Sequence, residues 1–416
     1  MREALEAFYP TVFAESQCEE LSRAGMLLRI QGASEASPVV LMAHQDVVPV
    51  PAGWAALGWD HPPFSGVIAD GFVHGRGALD DKAALVAMLE AVENLLVEGW
   101  RPPRDLYLFI GADSESRGDC ASETVNVLRG RNVTPHFVLD EGGAVTTGAI
   151  PGVAREVAFV GVSEKGIVTL ELSAESPGGH AAIPLARSAA GSLAKAIVAL
   201  ESHPFPGSLH AVDVEILTTV APHVAGPLRA VLASARFLKP VLVRLLPRFS
   251  PELAAAVRTT VAVTMLEGSS GPNVVATRAT AIVSMLVSVD WTVGEAVQHV
   301  RHIVGDSVKV HVVEQFAPTP VSPTGHDERW LAVKGAVGAA YPDAITVPYI
   351  MLGATDARHL ASIAPAVYRF APLRMTVEQR AGLHGPNEKV DIDSLDRGVV
   401  FYRALLTGPL MEVAER

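Results

Sequence analysis

A chain of 416 residues, 49% apolar and 19% charged, has ample material for buried cores and length enough for two domains. Its formal net charge of −12 argues against a nucleic-acid or anionic-membrane partner, since both ask for basic surface. With only Cys18 and Cys120 there is no disulfide framework, which fits a reducing, cytoplasmic setting. The first residues, MREALEAFYPTVF, carry acids and a proline where a secretory leader needs an unbroken apolar run. The stretch FLKPVLVRLLPRF holds three basic residues and two prolines, so it is no membrane span.

In chain order, PVVLMAH (38–44) reads as a buried strand ending on a histidine. DDKAALVAMLEAVENLLVEG (80–99) has apolar residues at helical spacing and a glycine stop. RDLYLFIGAD and HFVLDEGG are two further strands that run into acids. Strand and helix alternating in this way predict a mostly parallel sheet with helices on both faces. From about Val162 the rhythm changes to strand 166–174, helix 186–202, two strands within 259–289, a helix from Thr292, and a strand near 307–316. That βαββαβ order is the ferredoxin-like split motif, interrupted after its first helix by a mainly helical insert at about 203–257. Helix, strand and helix of the first style then close the chain. The expected organisation is an α/β catalytic domain in two parts, 1–161 and 317–416, with an inserted lid domain at 162–316.

Five segments set a metal-capable side chain at a strand end or in a loop: His44 in LMAHQDVVPV, Asp80 in HGRGALDDK, Glu115 in ADSESRG, Asp140 in VLDEGG and His384 in GLHGPNEKV. Two imidazoles with three carboxylates suit zinc or a similar divalent ion. Five donors exceed what one tetrahedral ion with an open position needs, and serve two ions if one carboxylate bridges them. Asp46, two residues past His44, is placed to accept the second ring proton. Singly, each has a structural reading as well. Asp80 could cap a helix, Asp140 could cap a turn, and His44 and His384 could be ordinary strand-end and loop residues.

Together, MAHQDVVPV, DGFVHGRGALDDK, RPPRDLYLFIGADSE, LDEGG, SEKGIVTLEL, PGGHAAIP, GATDAR and LHGPNEKV resemble the carboxypeptidase S/aminoacylase family of di-zinc metallohydrolases. Acetylornithine deacetylase and succinyl-diaminopimelate desuccinylase belong to the same family, and the similarity is closest to the branch of carboxypeptidase S and the N-fatty-acyl amino acid hydrolases. The resemblance spans nearly the whole chain and implies the same two-domain organisation. It implies that His44, Asp80 and Asp140 hold one zinc, that Asp80 bridges to a second held by Glu115 and His384, and that the Asp80–Asp81 peptide is cis. It further implies that His180 steadies an oxyanion, commonly in the partner subunit of a homodimer formed through the lid. Asn273 and Arg358 would contact the substrate, an N-acyl amino acid or short peptide.

Two positions depart from the family pattern. The segment D-E-E-x-x-G reads DSESRG here, so the Glu that normally moves the proton is replaced by Ser114 while Glu115 is kept. A hydroxyl is far too weak a base at neutral pH, and loss of a general base costs about 10²–10⁴ in rate. Asp113 and Glu141 are the nearby acids that could carry the proton instead. A one-residue slip would make Glu115 the base, but Gly118 keeps its expected spacing. In the lid, Leu286 stands where many relatives carry an arginine suited to a substrate carboxylate. The expected function is therefore metal-dependent cleavage of an amide bond. The alternative is an impaired member that binds metal and ligand without turnover.

Overall fold

The structure is a computed structural model and describes residues 1–150 and 152–413. Its main sheet runs in the order Ser16–Glu20, Met26–Ile30, Arg104–Gly111, Ser34–His44, Phe137–Asp140, Val367–Arg369, Val157–Glu164, Val145–Thr146 and Arg374–Met375. Ile345–Met351 pairs with Val157–Glu164 off that path. The centre is parallel, because Ser34–His44 pairs in parallel with both Arg104–Gly111 and Phe137–Asp140. Met26–Ile30 and Ser16–Glu20 extend it antiparallel at one side.

Side-chain alternation along these strands divides the core into two layers. Val39, Leu41, Ala43, Leu106, Leu108 and Ile110 point to one face and pack against the helices Ala83–Val97, Glu328–Ala340 and Ile392–Thr407. Val40, Met42, Tyr107 and Phe109 point to the other, under Asp119–Gly130 and Ala357–Leu360. Both faces are covered, so the central strands are apolar throughout and their carboxyl ends converge on one edge. The helix expected from Asp80 begins at Ala83, since Asp80 and Asp81 hold non-helical backbone angles.

The second sheet is separate and antiparallel, in the order Thr260–Glu267, Arg278–Val287, Gly166–Glu175, Lys309–Phe316. Numbered along the chain, its strands lie in the order two, three, one, four, the ferredoxin-like arrangement. Helices Ala189–Ser202 and Val293–Val304 cover it through Leu193, Ala196, Leu200, Val297 and Val300. The chain crosses between the sheets at Lys165, and strand pairing in the main sheet persists to Glu164.

The insert forms the helices Ala211–Val220, Pro227–Ala233, Ala235–Leu245 and Pro251–Ala256. It does not stand apart: Val220, Ala221, Val224 and Leu232 pack on Val157, Ile345 and Val347 of the main sheet. Lys165 at the crossing donates to the carbonyls of Ala255 and Arg258 at the insert's far end. Beside it, fully buried Glu164 accepts from Arg369 Nε at 2.5 Å and from Thr355 Oγ1 at 2.8 Å. Removing one member of such a pair strands a charge in the interior, whereas removing both does not. Glu164→Ala is expected to lower unfolding stability by about 3–5 kcal/mol, and Glu164→Ala with Arg369→Met by clearly less. Urea denaturation of the three proteins checks this; equal losses in the single and double variants would refute it.

Candidate metal centre

The carboxyl ends of the parallel strands carry the acids, as open α/β sheets place their chemistry. His44 is the last residue of its strand. Its Nε2 lies 3.0 Å from Asp80 Oδ1, and its Nδ1 lies 3.1 Å from the carbonyl of Asp46 and 3.3 Å from Asp46 Oδ1. The other oxygen of Asp80 is 3.0 Å from His384 Nε2, which is in turn 3.2 Å from Glu115 Oε1. One carboxylate thus meets two imidazoles from opposite ends of the chain.

The loop that presents Asp80 is tightly determined. Gly77 enters it at φ +79°, and a Cβ there would sit 2.3 Å from Val47 Cγ1, so only glycine fits. The Asp80–Asp81 peptide is cis, as the resemblance implies. Asp81, buried, accepts from the main-chain N–H of His44 at 3.2 Å. Glu388 accepts from the N–H groups of Leu79 at 2.9 Å and Asp80 at 3.2 Å. The same Glu388 is paired with Arg76, whose Nη2 donates to the carbonyl of Gly385 at 3.0 Å. One buried ion pair therefore ties the Asp80 loop to the His384 loop. Sequence reading missed Arg76, Asp81 and Glu388, although opposite charges inside HGRGALDDK and GPNEKV were the available signal.

Asp46 governs the serine-bearing turn. Its two oxygens accept from Ser114 N at 3.2 Å and Glu115 N at 3.0 Å. This sets Glu115 against His384 and fixes the frame: Glu115 faces the cluster, and Ser114 occupies the neighbouring position. Asp113 is committed elsewhere. Its carboxylate accepts from Asp119 N at 2.9 Å and Cys120 N at 3.2 Å, closing the start of the helix Asp119–Gly130.

Asp140, expected among the ligands, is the last residue of its strand and is held by two backbone donors. Its Oδ1 accepts from Glu141 N at 2.9 Å and its Oδ2 from Ala357 N at 2.7 Å, both deep in the protein. Glu141, one residue beyond the strand, lies with His44 and Asp80. The three offer donor atoms within 4.8 Å of one another, as do Asp80, Glu115 and His384.

Charge in the cluster is unbalanced. Burial opposes a charge on His44, yet its hydrogen bonds to Asp46 and Asp80 outweigh burial and hold its pKa far above the usual imidazole range. Burial, then the charges of Asp80, Asp140 and Asp81, push the Glu141 carboxyl well above its ordinary value. Burial and Asp80 likewise raise Glu115. So many carboxylates around two imidazoles suit divalent cations, which would replace protons as the compensating charge. The donor set offers two groups sharing Asp80, which fits a pair of ions.

The remaining expected residues lie apart from this cluster. His180 sits on a short ribbon, Gly179–His180 paired with Val274–Val275, where Ala181 N donates to Asn273 O at 2.9 Å. The ribbon brings His180 and Asn273 together on the lid, both exposed. Arg358 packs its guanidinium 5.1 Å from the centre of the Phe316 ring, at the lid's last strand, and donates to the carbonyls of Thr355 and Arg117. Leu286 is paired with Ile167 and Thr260 inside the lid sheet.

An α/β sheet with an inserted ferredoxin-like lid and a shared-carboxylate cluster at its carboxyl edge defines a metallohydrolase architecture. Residues 40–408 match Peptidase family M20/M25/M40, and the chain belongs to that family. It is 34% identical over 407 residues to the N-fatty-acyl-amino acid synthase/hydrolase of Mus musculus, covering 96% of this chain and 80% of that one. To the probable carboxypeptidase S-like 2 of Dictyostelium discoideum it is 30% identical over 410 residues, covering 97% and 78%. Among solved structures, the M20 metallo-carboxypeptidase of Sulfolobus solfataricus superposes with a TM-score of 0.70 at 18% identity, covering 97% of this chain and 93% of that one. Human carnosine dipeptidase 1 does so with a TM-score of 0.65 at 15% identity, covering 97% and 90%.

Which of the two acids at the LDEGG turn holds an ion is open to direct measurement. Glu141→Gln is expected to lower affinity for one divalent ion by about ten-fold or more. Asp140→Asn is expected to lower stability while leaving that affinity nearer to wild type. Metal titration by calorimetry, paired with thermal unfolding, distinguishes them; the opposite ranking would return Asp140 to the ligand set.

Proposed function

We propose that this protein is a metal-dependent amidohydrolase acting on N-acyl amino acids or short peptides through two divalent ions, zinc being the ion best suited to the donors. The observation that carries the reading is the single carboxylate of Asp80 lying 3.0 Å from both His44 and His384, with Glu115 and Glu141 beside it. His44, Asp80 and Glu141 would hold one ion, and Asp80, Glu115 and His384 the other. When bound, the ions supply Lewis acidity and lower the pKa of a water towards neutrality. Asp46 fixes the tautomer of His44 and, through two backbone N–H groups, the position of Glu115. Arg358 is the cation available for a substrate carboxylate. His180 and Asn273, on the lid, are assigned to the oxyanion and the substrate. Support for the substrate class comes from the mouse relative, whose name states synthesis and hydrolysis of N-fatty-acyl amino acids. We extend the reading to a homodimer formed through the lid, whose edge strand Thr260–Glu267 exposes Met265 and Leu266.

Ser114 favours a second reading, in which the chain binds metal and ligand but turns over slowly or not at all. Asp113 is spent on helix capping and Glu141 lies among the donors, so neither acid is free to replace the missing base. A panel of N-acyl amino acids offered to the zinc-loaded protein tests both. Ser114→Glu is expected to raise the rate by about 10²–10⁴. An active wild-type protein that Ser114→Glu leaves unchanged would overturn the assignment of that position. Absence of hydrolysis by both proteins would reject the hydrolase reading.

A further inference from the structure

The helical insert carries a surface that the proposed chemistry does not use. Residues 225–250 contain five basic side chains (Arg229, Arg236, Lys239, Arg244 and Arg248) and no acid, in a chain of net charge −12. The chain-wide charge that argues against an anionic partner therefore does not describe this segment. Among the described residues none of the five is in a salt bridge, and all but Lys239 are exposed.

Apolar side chains are exposed on the same helix. In Ala235–Leu245, Ala235 and Leu242 face inward against Leu209 and Val257. Phe237, Val241 and Leu245, spaced four apart and so aligned along one stripe, are 83%, 50% and 38% exposed. Phe249, one turn further, is 74% exposed. Arg236 and Arg244 fall by helical rotation on one flank of this stripe. Water is a poor environment for such a row, and large exposed apolar patches mark interaction surfaces.

We propose that this face of the insert docks on an anionic lipid bilayer, lying in the interface with Phe237 and Phe249 inserted and the basic side chains on the headgroups. An apolar stripe flanked by cations is the pattern of an interfacial helix. A second copy of the chain is disfavoured, because a two-fold contact would bring the four exposed arginines against the same four. A nucleic acid would satisfy the cations but leave Val241 and Leu245 without an apolar environment. Among the described residues no helix is long and apolar enough to cross a membrane, so the contact is peripheral. The inference is independent of the catalytic reading, because none of these residues belongs to the metal cluster.

Co-sedimentation of the metal-loaded protein with phosphatidylcholine vesicles, with and without about 30% phosphatidylglycerol, tests it. Partition into the anionic vesicles is expected to exceed that into neutral ones by about ten-fold or more, and to collapse at about 0.5 M salt. Arg236→Gln with Arg244→Gln should remove the preference. Phe237→Ser with Phe249→Ser should weaken binding to both vesicles; these side chains are exposed, so an unchanged thermal midpoint shows that the fold survives. Equal partition into both vesicles, or none, would overturn the proposal. So would an oligomer that the Phe variants dissolve, which would assign the stripe to a second copy, or tighter uptake of a DNA duplex than of anionic vesicles.

Discussion

Everything at the catalytic edge is arranged around one shared carboxylate. Asp80 touches imidazoles separated by more than three hundred residues. Crowding acids in this way is unfavourable by itself, since burial and mutual repulsion both disfavour their charged forms. The protein opposes that cost with local restraint. Gly77 admits the sharp entry into the loop, Glu388 holds the N–H groups of Leu79 and Asp80, and Arg76 neutralises Glu388 while gripping the His384 loop. Cluster geometry is thereby a property of buried hydrogen bonds one layer behind the donors.

The lid is joined to this edge by a crossing that is equally constrained. Glu164 and Arg369 form a buried pair at the point where the chain leaves the main sheet, and Thr319 returns beside them through main-chain bonds to Glu164. The insert adds a second tether, since it begins in the lid yet packs on Ile345 and Val347 of the main sheet. Lid and catalytic sheet therefore meet through ionic and apolar contacts alike.

Much of this was legible in the sequence, for identifiable reasons. Parallel strands buried on both faces read as apolar runs, so Val39–Ala43 and Leu106–Ile110 announced themselves. The change of rhythm at the lid came from alternation in the strand from Gly166 and from helical spacing after Ser188. His44, Asp80, Glu115 and His384 were each ambiguous singly, and only their joint order along the chain singled them out. At the LDEGG turn the strand is buried on both sides, so no alternation shows which of Asp140 and Glu141 faces the cluster. Arg76 and Glu388 were missed for a different reason: their partnership spans the chain, and opposite charges in two distant motifs were its only trace. The insert was read as helical, but its attachment to the main sheet depends on Val220 and Leu232 meeting residues more than a hundred positions away.

If Asp80 is the common support of two cations, removing its carboxylate must disturb both at once. Metal affinity of Asp80→Ala, measured by equilibrium dialysis with elemental analysis, addresses this most directly. The account requires both ions to weaken together, each by more than about ten-fold. Retention of one ion at wild-type affinity would contradict it, because the two donor groups would then be independent.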